Sequence, residues 1–200
     1  MNADLYGLIL AGGRSARMGQ PKALLDYHGE PQYRHAAELL EAFCGRVFIS
    51  CRAAQQDMFS GYEIICDSDI YGDSGPINGI LSALTAPWPD GPPPAWFVLA
   101  CDYPLLKNRD LAQLLAARDT ARVATVFANP GDGRPEPLIG IYETSAAPLL
   151  LIWLQEGNQS LRVFLERHHA LVVDAERPER LVSADTPGDF QRIKHGKSGS

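Results

Sequence analysis

Residues 7–22 read Gly-Leu-Ile-Leu-Ala-Gly-Gly-Arg-Ser-Ala-Arg-Met-Gly-Gln-Pro-Lys, and no other stretch of the chain concentrates as much chemistry. An apolar run, Leu8 to Leu10, opens into a small-residue loop holding Ala11, Gly12, Gly13 and Gly19. Glycine lets a backbone turn sharply and brings bare N–H groups close to a ligand. Successive N–H groups in such a loop form a concave anion site. Arg14, Arg17 and Lys22 then place three cations within nine residues. A tight strand–helix turn with surface cations is the plainer alternative, but this density of charge points to a polyphosphate. The loop lacks G-x-x-x-x-G-K-[ST] and G-x-G-x-x-G, so it is neither a Walker A site nor a dinucleotide fingerprint.

Two carboxylates stand in comparable places further along. Asp67 follows Ile64-Ile65-Cys66, and Asp102 follows the run Phe97 to Cys101. An acid just past a buried parallel strand can hold Mg²⁺ against phosphate oxygens, because hard cations take oxygen ligands. A turn role is the plainer alternative for both, since Asp67-Ser68-Asp69 is turn-like; Asp69 and Asp73 read as solvated. Gly75-Pro76-Ile77-Asn78-Gly79 opens a helix with proline at its first position, and Gly79 is expected to let a flat ligand approach. Asp185, in Ala-Asp-Thr-Pro, reads either as a helix-starting turn or as a second Mg²⁺ ligand. The histidines show no metal spacing, and none sits in a nucleophile motif.

These groups need elements to position them. Short runs apolar on both faces, Gly7–Ala11, Val47–Cys51, Ile64–Cys66, Trp96–Cys101 and Val123–Ala128, read as buried parallel strands. Helical patterns lie between and after them at 31–43, 76–85, 108–118, 144–155 and 158–168, with Asn108 as a candidate N-cap. The alternation predicts a single-domain α/β fold, a doubly wound and mostly parallel sheet with helices on both faces. Pro87–Pro94 reads as a stiff surface loop. Asn129–Pro137 reads as a mobile loop before an outer strand at 138–142. The domain is expected over 1–194, with a disordered tail at 195–200.

The whole chain has 200 residues, 46% hydrophobic and 21% charged, with a net charge of −6. The acidic balance excludes a nucleic-acid binder that works by bulk charge. No apolar run approaches the about 20 residues that span a bilayer, and no secretory leader pattern opens the sequence. The four cysteines lack C-x-x-C spacing and read as reduced core thiols. A cytoplasmic protein is expected.

The string L-A-G-G-x-S-x-R-M-G-x-x-K resembles the signature of nucleotidyltransferases that load an NTP onto a phosphorylated acceptor. With Asp67, Gly75-Pro76-x-x-Gly79-Ile80, Cys101-Asp102-x-Pro104, Pro137 to Tyr142 and Asp185-Thr186-Pro187 following in order, the chain is similar to the molybdenum cofactor guanylyltransferases, the MobA type. The resemblance covers nearly the whole chain and implies a Rossmann-like nucleotidyltransferase fold. It implies transfer of GMP from GTP to the terminal phosphate of molybdopterin, releasing pyrophosphate, with Mg²⁺ as cofactor and other molybdenum cofactor biosynthesis proteins as partners. Arg17, Lys22 and Asp102 are the catalytic residues so implied. Leu10, Ala11, Gly12, Gly13, Lys22, Asp67, Gly75, Pro76, Gly79 and Asp102 are the implied nucleotide-binding residues. Asp102, with Asp185, is the implied metal site. Two departures touch the base rather than the reaction: Cys51 precedes Arg52 where the guanylyl branch usually has Asn, and Gln20-Pro21-Lys22 replaces the commoner Asp-Lys ending, Pro-Lys being frequent in the cytidylyl branch. At Asp185 the guanylyl branch tends to carry Asn and the cytidylyl branch Asp. The same transfer from CTP, transfer onto a sugar phosphate, and a GTP-binding module without turnover stay open as alternatives.

Overall fold

The apolar runs become strands that bury side chains on both faces of one sheet. The computed structural model describes residues 2–13, 18–89 and 91–196. Their strands are β1 (Asn2–Leu10), β2 (Cys44–Cys51), β3 (Glu63–Cys66), β4 (Ala95–Ala100), β5 (Ala124–Ala128), β6 (Pro135–Glu143) and β7 (Leu171–Val173), in the spatial order β3-β2-β1-β4-β6-β5-β7. The helices are α1 (Gln32–Glu41), α2 (Pro76–Thr85), α3 (Asn108–Ala116), α4 (Ala146–Gln155), α5 (Leu161–Arg167) and α6 (Pro187–Gly196). Alternation along the strands divides the core in two. Leu5 and Ile9 of β1 and Phe97 and Leu99 of β4 pack with α1 and α3 on one face. Leu8, Trp96 and Val98 pack with α2, α4 and α5 on the other. Tyr33, Ala36, Ala37 and Leu40 of α1 are buried and recur at the i, i+3, i+4, i+7 spacing of a single apolar stripe. The fold is the expected α/β sheet with helices on both faces.

The parallel half aligns the strand ends that matter. Leu10 is in register with Ser50 of β2 and with Ala100 of β4. Cys51 is opposite Cys66 of β3. The residues just past these strands therefore leave the sheet side by side, and ligands of open α/β sheets bind beyond such carboxyl ends.

The other half departs from the sequence expectations. The expected outer strand is an inner one: β6 runs antiparallel between β4 and β5. It begins at Pro135, and the loop before it is a short hairpin in which Asn129 N–H donates to the Arg134 carbonyl at 2.7 Å. Proline is tolerated at a strand's first residue, and Gly140 fits because an added Cβ would meet Val126 Cγ1 at 2.5 Å. Asn108 is the first residue of α3 and not its cap; the Asp110 carboxylate instead accepts from the Lys107 N–H at 2.9 Å. β7 has no counterpart among the expected strands. α6 takes in His195 and Gly196, two residues of the expected tail, and His195 Nε2 meets Gln191 Oε1 at 3.0 Å; 197–200 lie outside the described residues.

A largely buried ion pair ties the end of α3 to β6. Arg118, just beyond α3, meets the Glu143 carboxylate at the end of β6 through two bonds of 2.7 and 2.8 Å. Breaking one side of a buried pair leaves an uncompensated charge at a cost of about 3 kcal/mol or more. Arg118→Met should lower the urea midpoint accordingly, and adding Glu143→Leu should restore most of the loss. An Arg118→Met midpoint equal to that of the native chain would show the pair to be dispensable.

Candidate active site

A cleft of about 880 Å³ opens over the carboxyl ends of β1, β2, β3 and β4. It gathers Leu10, Ala11, Gly12, Gly13, Lys22, Asp67, Gly75, Pro76, Gly79, Asp102 and Asp185, residues from every part of the chain. Arg14 and Arg17 lie outside the described residues.

Lys22 is the centre of one end. It opens a short 3₁₀ turn, Lys22–Leu24, after the loop that follows β1. Its ammonium donates to Asp102 Oδ2 at 3.3 Å and to Asp185 Oδ1. Asp102 stands just past β4, where Cys101 N–H extends the sheet to the Leu10 carbonyl at 3.3 Å. Asp185 is brought there by backbone: Ala184 N–H donates to the Asp102 carbonyl at 2.8 Å. Thr186 and Asp189 then fix the start of α6 by reciprocal bonds, Thr186 N–H to Asp189 Oδ2 at 2.9 Å and Asp189 N–H to Thr186 Oγ1 at 3.2 Å. This is a capping box with Asp in the third helical position. Ser183 Oγ donates to Asp185 Oδ2 at 2.8 Å.

Among the described residues, the Lys22 ammonium faces the Asp102 and Asp185 carboxylates. Burial pulls the Lys22 ammonium down, but the hydrogen bond to Asp185 and the charge of Asp102 outweigh it, and Lys22 holds its proton above the ordinary lysine value. Burial pushes Asp102 above the ordinary carboxylate value; Lys22 pulls it back and Asp185 pushes it further up. Asp102 Oδ1 is buried without a hydrogen-bond partner. A buried carboxylate oxygen with no donor is costly, and a cation in the cleft would satisfy it.

The backbone around the cleft corrects one expectation and adds to another. The Ala11 N–H is not free for phosphate, because it donates to the Ser50 carbonyl at 2.8 Å. Among the described residues of this part of the loop, the Gly12 and Gly13 N–H groups remain for an anion. Gly79 lines the cleft, and packing gives its missing Cβ a further reason: a Cβ there would run into Ser50 Oγ and meet Leu10 Cδ2 at 3.0 Å. Gly75, the N-cap of α2, has φ +59°, which a residue with a Cβ adopts only under strain.

At the other end, Asp67 N–H donates to the Cys51 carbonyl at 2.8 Å and Asp67 Oδ1 accepts from Ser50 Oγ at 3.5 Å. Burial raises the Asp67 carboxyl, against the pull of Arg52. Asp69 and Asp73 line this end and are exposed. Ser50, Arg52, Ala53, Ser68 and Asn78 complete the wall. Sequence reasoning did not single out Asn78, although a polar residue amid the apolar run of α2 was a visible signal.

Residues 7–171 match the model of the MobA-like NTP transferase domain. The chain belongs to that family. This nucleotidyltransferase is 36% identical over 189 residues to a molybdenum cofactor biosynthesis bifunctional protein of Synechocystis, covering 94% of this chain and 53% of that protein. It thus spans about half the length of that relative. A probable molybdenum cofactor guanylyltransferase of Synechococcus elongatus is 30% identical over 201 residues, with 96% of this chain and 98% of the relative covered. The crystal structure of molybdopterin-guanine dinucleotide biosynthesis protein A from Archaeoglobus fulgidus has the same fold, with a TM-score of 0.77 at 24% identity over 98% of this chain and 100% of that one. Among the described residues no helix of the nucleotidyltransferase is long and apolar enough to cross a membrane.

The Asp102 charge has a consequence for stability. A carboxyl raised above its unfolded value binds its proton more tightly in the folded chain, so the folded state loses stability as pH rises through the folded value. Asp102→Asn removes that loss and leaves Lys22 paired with Asp185. The variant should melt higher than the native chain at pH 7, by about 2–4 °C for each kcal/mol recovered in a chain of this size. The gap should close as pH falls toward the ordinary carboxylate range. A variant that melts lower at every pH would contradict this assignment of the buried charge.

Proposed function

We propose that the chain transfers GMP from GTP to the terminal phosphate of molybdopterin and releases pyrophosphate. The observation that carries this reading is the Lys22, Asp102 and Asp185 cluster beside the two bonding-competent N–H groups of Gly12 and Gly13. The reaction is in-line attack of an acceptor phosphate oxygen on the α-phosphorus of the nucleotide. An acceptor phosphate is already anionic at neutral pH, so the chain needs no general base. Its work is to position two anions and to offset the charge that builds on the transferring group.

Asp102 and Asp185 suit Mg²⁺. Oδ1 of Asp102 is a buried acceptor without a partner, and among the described residues no group of three or more His, Cys, Asp or Glu is placed to hold a metal ion. Mg²⁺ is commonly held by one or two carboxylates, with substrate phosphates and water completing its shell. When bound, it acts as a Lewis acid and template for phosphate oxygens. Lys22, drawn from its two carboxylates by the arriving phosphates, counters the charge of the leaving pyrophosphate. Gly12 and Gly13 N–H groups hold phosphate oxygens, and Asp67 and the Gly75-Pro76 turn wall the nucleoside. Arg17 belongs to the same loop and adds a cation to it. The names of the relatives favour guanylyl over cytidylyl transfer, and a cytoplasmic enzyme fits this chemistry.

Mixing the chain with GTP, Mg²⁺ and molybdopterin should release pyrophosphate, and GTP should raise the melting temperature more than CTP does. Saturating ligand at a hundredfold excess over its Kd contributes about 2.7 kcal/mol. An equal or larger shift with CTP would move the reading to the cytidylyl reaction. A shift with GTP but no pyrophosphate would move it to a binding module.

Lys22→Ala separates two roles of the ammonium. A contact that tightens in the transition state acts on kcat, and losing one such donor lowers kcat by about a hundred- to a thousandfold. Unchanged kcat with a raised KM for GTP would reduce Lys22 to a uniform binding residue.

A further inference from the structure

Asn78, the third residue of α2, is 4% exposed. Its amide uses both donors and both acceptor positions. Nδ2 donates to the Ser68 carbonyl at 2.9 Å and to the Gly72 carbonyl at 2.8 Å. Oδ1 accepts from Ser68 N–H at 2.8 Å and from Ser82 Oγ at 3.0 Å. Ser82 Oγ, one turn further along α2, also receives the Ser68 N–H at 3.1 Å. The segment so held is one short 3₁₀ turn, Asp69–Tyr71, capped by Ser68. Its internal bonds are Tyr71 N–H to the Ser68 carbonyl at 3.1 Å, Gly72 N–H to the Asp69 carbonyl at 3.2 Å and Ile70 N–H to Ser68 Oγ at 3.3 Å. Gly72 and Gly75, with φ of +58° and +59°, turn the chain back toward α2. Asp67 and Gly75 bracket the segment, and both line the nucleoside end of the cleft.

We propose that Asn78 is a positioning residue for nucleotide binding: its amide clamps the 68–72 segment onto α2 and thereby sets where Asp67 and the Gly75 backbone meet the nucleoside. The proposal rests on the reading of this cleft as a nucleotide site. The clamp is specific to an amide. An aspartate of the same shape has no donors and would set a carboxylate oxygen against the Ser68 and Gly72 carbonyls. The clamp lies on the wall away from Lys22 and Asp102, so its loss falls on nucleotide affinity and spares the chemical step.

The test compares the native chain with Asn78→Asp, Asn78→Ala and Ser82→Ala. Circular dichroism reports folding, calorimetry with Mg²⁺ and GTP or CTP reports affinity, and pyrophosphate release reports kcat and KM. For Asn78→Asp and Asn78→Ala the expected result is weaker nucleotide binding and a KM for nucleotide raised about tenfold, as suits the loss of buried hydrogen bonds. The kcat at saturating nucleotide and the KM for the acceptor should stay within about threefold, the mark of a uniform binding effect. Ser82→Ala removes one partner of the clamp and should give a smaller rise of the same kind. It stands in if the Asn78 variants do not fold. A lower melting temperature with an unchanged KM for nucleotide would make the clamp merely structural and overturn the proposal. A fall in kcat with KM unchanged would overturn it as well. If the native chain prefers CTP, the guanylyl reading fails, yet the same comparison with CTP still decides the role of Asn78. Binding of neither nucleotide to the native chain would overturn both.

Discussion

A single ammonium shared by two carboxylates organises this molecule. Lys22 is 80 residues from Asp102 and 163 from Asp185 in sequence, and their meeting requires three distant parts of the chain to be folded correctly at once. β1 and β4 supply it by lying side by side, with the loop past β1 returning Lys22 over the end of β4. The start of α6 supplies it through the bond from Ala184 N–H to the Asp102 carbonyl. Among the described residues the cluster sets the Lys22 ammonium against the Asp102 and Asp185 carboxylates in a partly buried place. Burial raises the Asp102 carboxyl, Lys22 pulls it back and Asp185 adds to the rise, and Asp102 Oδ1 has no donor. A buried carboxylate oxygen with no donor is poorly optimised for stability, as sites shaped by function tend to be.

The sheet divides its labour around this cluster. Its parallel side, β3 to β4, delivers loops to the cleft from aligned carboxyl ends. Its other side, with antiparallel β6 between β4 and β5, braces β4 from behind and is tied back by Arg118 and Glu143. The wall of the cleft beside β3 is built differently. It is a turn-rich segment held to α2 by the buried Asn78 amide rather than by a ladder.

Features written in local pattern were legible in the sequence. Apolar runs identified the strands of the parallel half, and Gly12, Gly13, Lys22, Asp67 and Asp102 could be placed past their ends because loops follow strands directly. Features that depend on distant partners were not. Nothing local distinguishes the Ala11 N–H, bonded to the Ser50 carbonyl, from those of Gly12 and Gly13. The run 138–142 is apolar whether it lies outside or inside a sheet, and its inner place depends on the pairings with β4 and β5. Gly79 was legible as a position that excludes a side chain, but only the packing of α2 on Ser50 adds close approach of helix to strand as a reason. Asp185 was legible as a candidate, and its link to Lys22 was not, because the two meet only through the closing loop before α6.

The central proposal is that the Lys22 ammonium is the counter-ion of Asp102 and Asp185, the carboxylates of the proposed divalent-cation site. Titration of the chain with Mn²⁺ alone, followed by electron paramagnetic resonance, tests it without nucleotide or turnover. Lys22→Met should bind Mn²⁺ about tenfold or more tightly than the native chain, since a like charge a few ångströms away is removed from a site of low effective dielectric. Asp102→Asn, added to Lys22→Met, should abolish the gain. Equal Mn²⁺ affinity in the native chain and Lys22→Met, or a gain that survives Asp102→Asn, would contradict it.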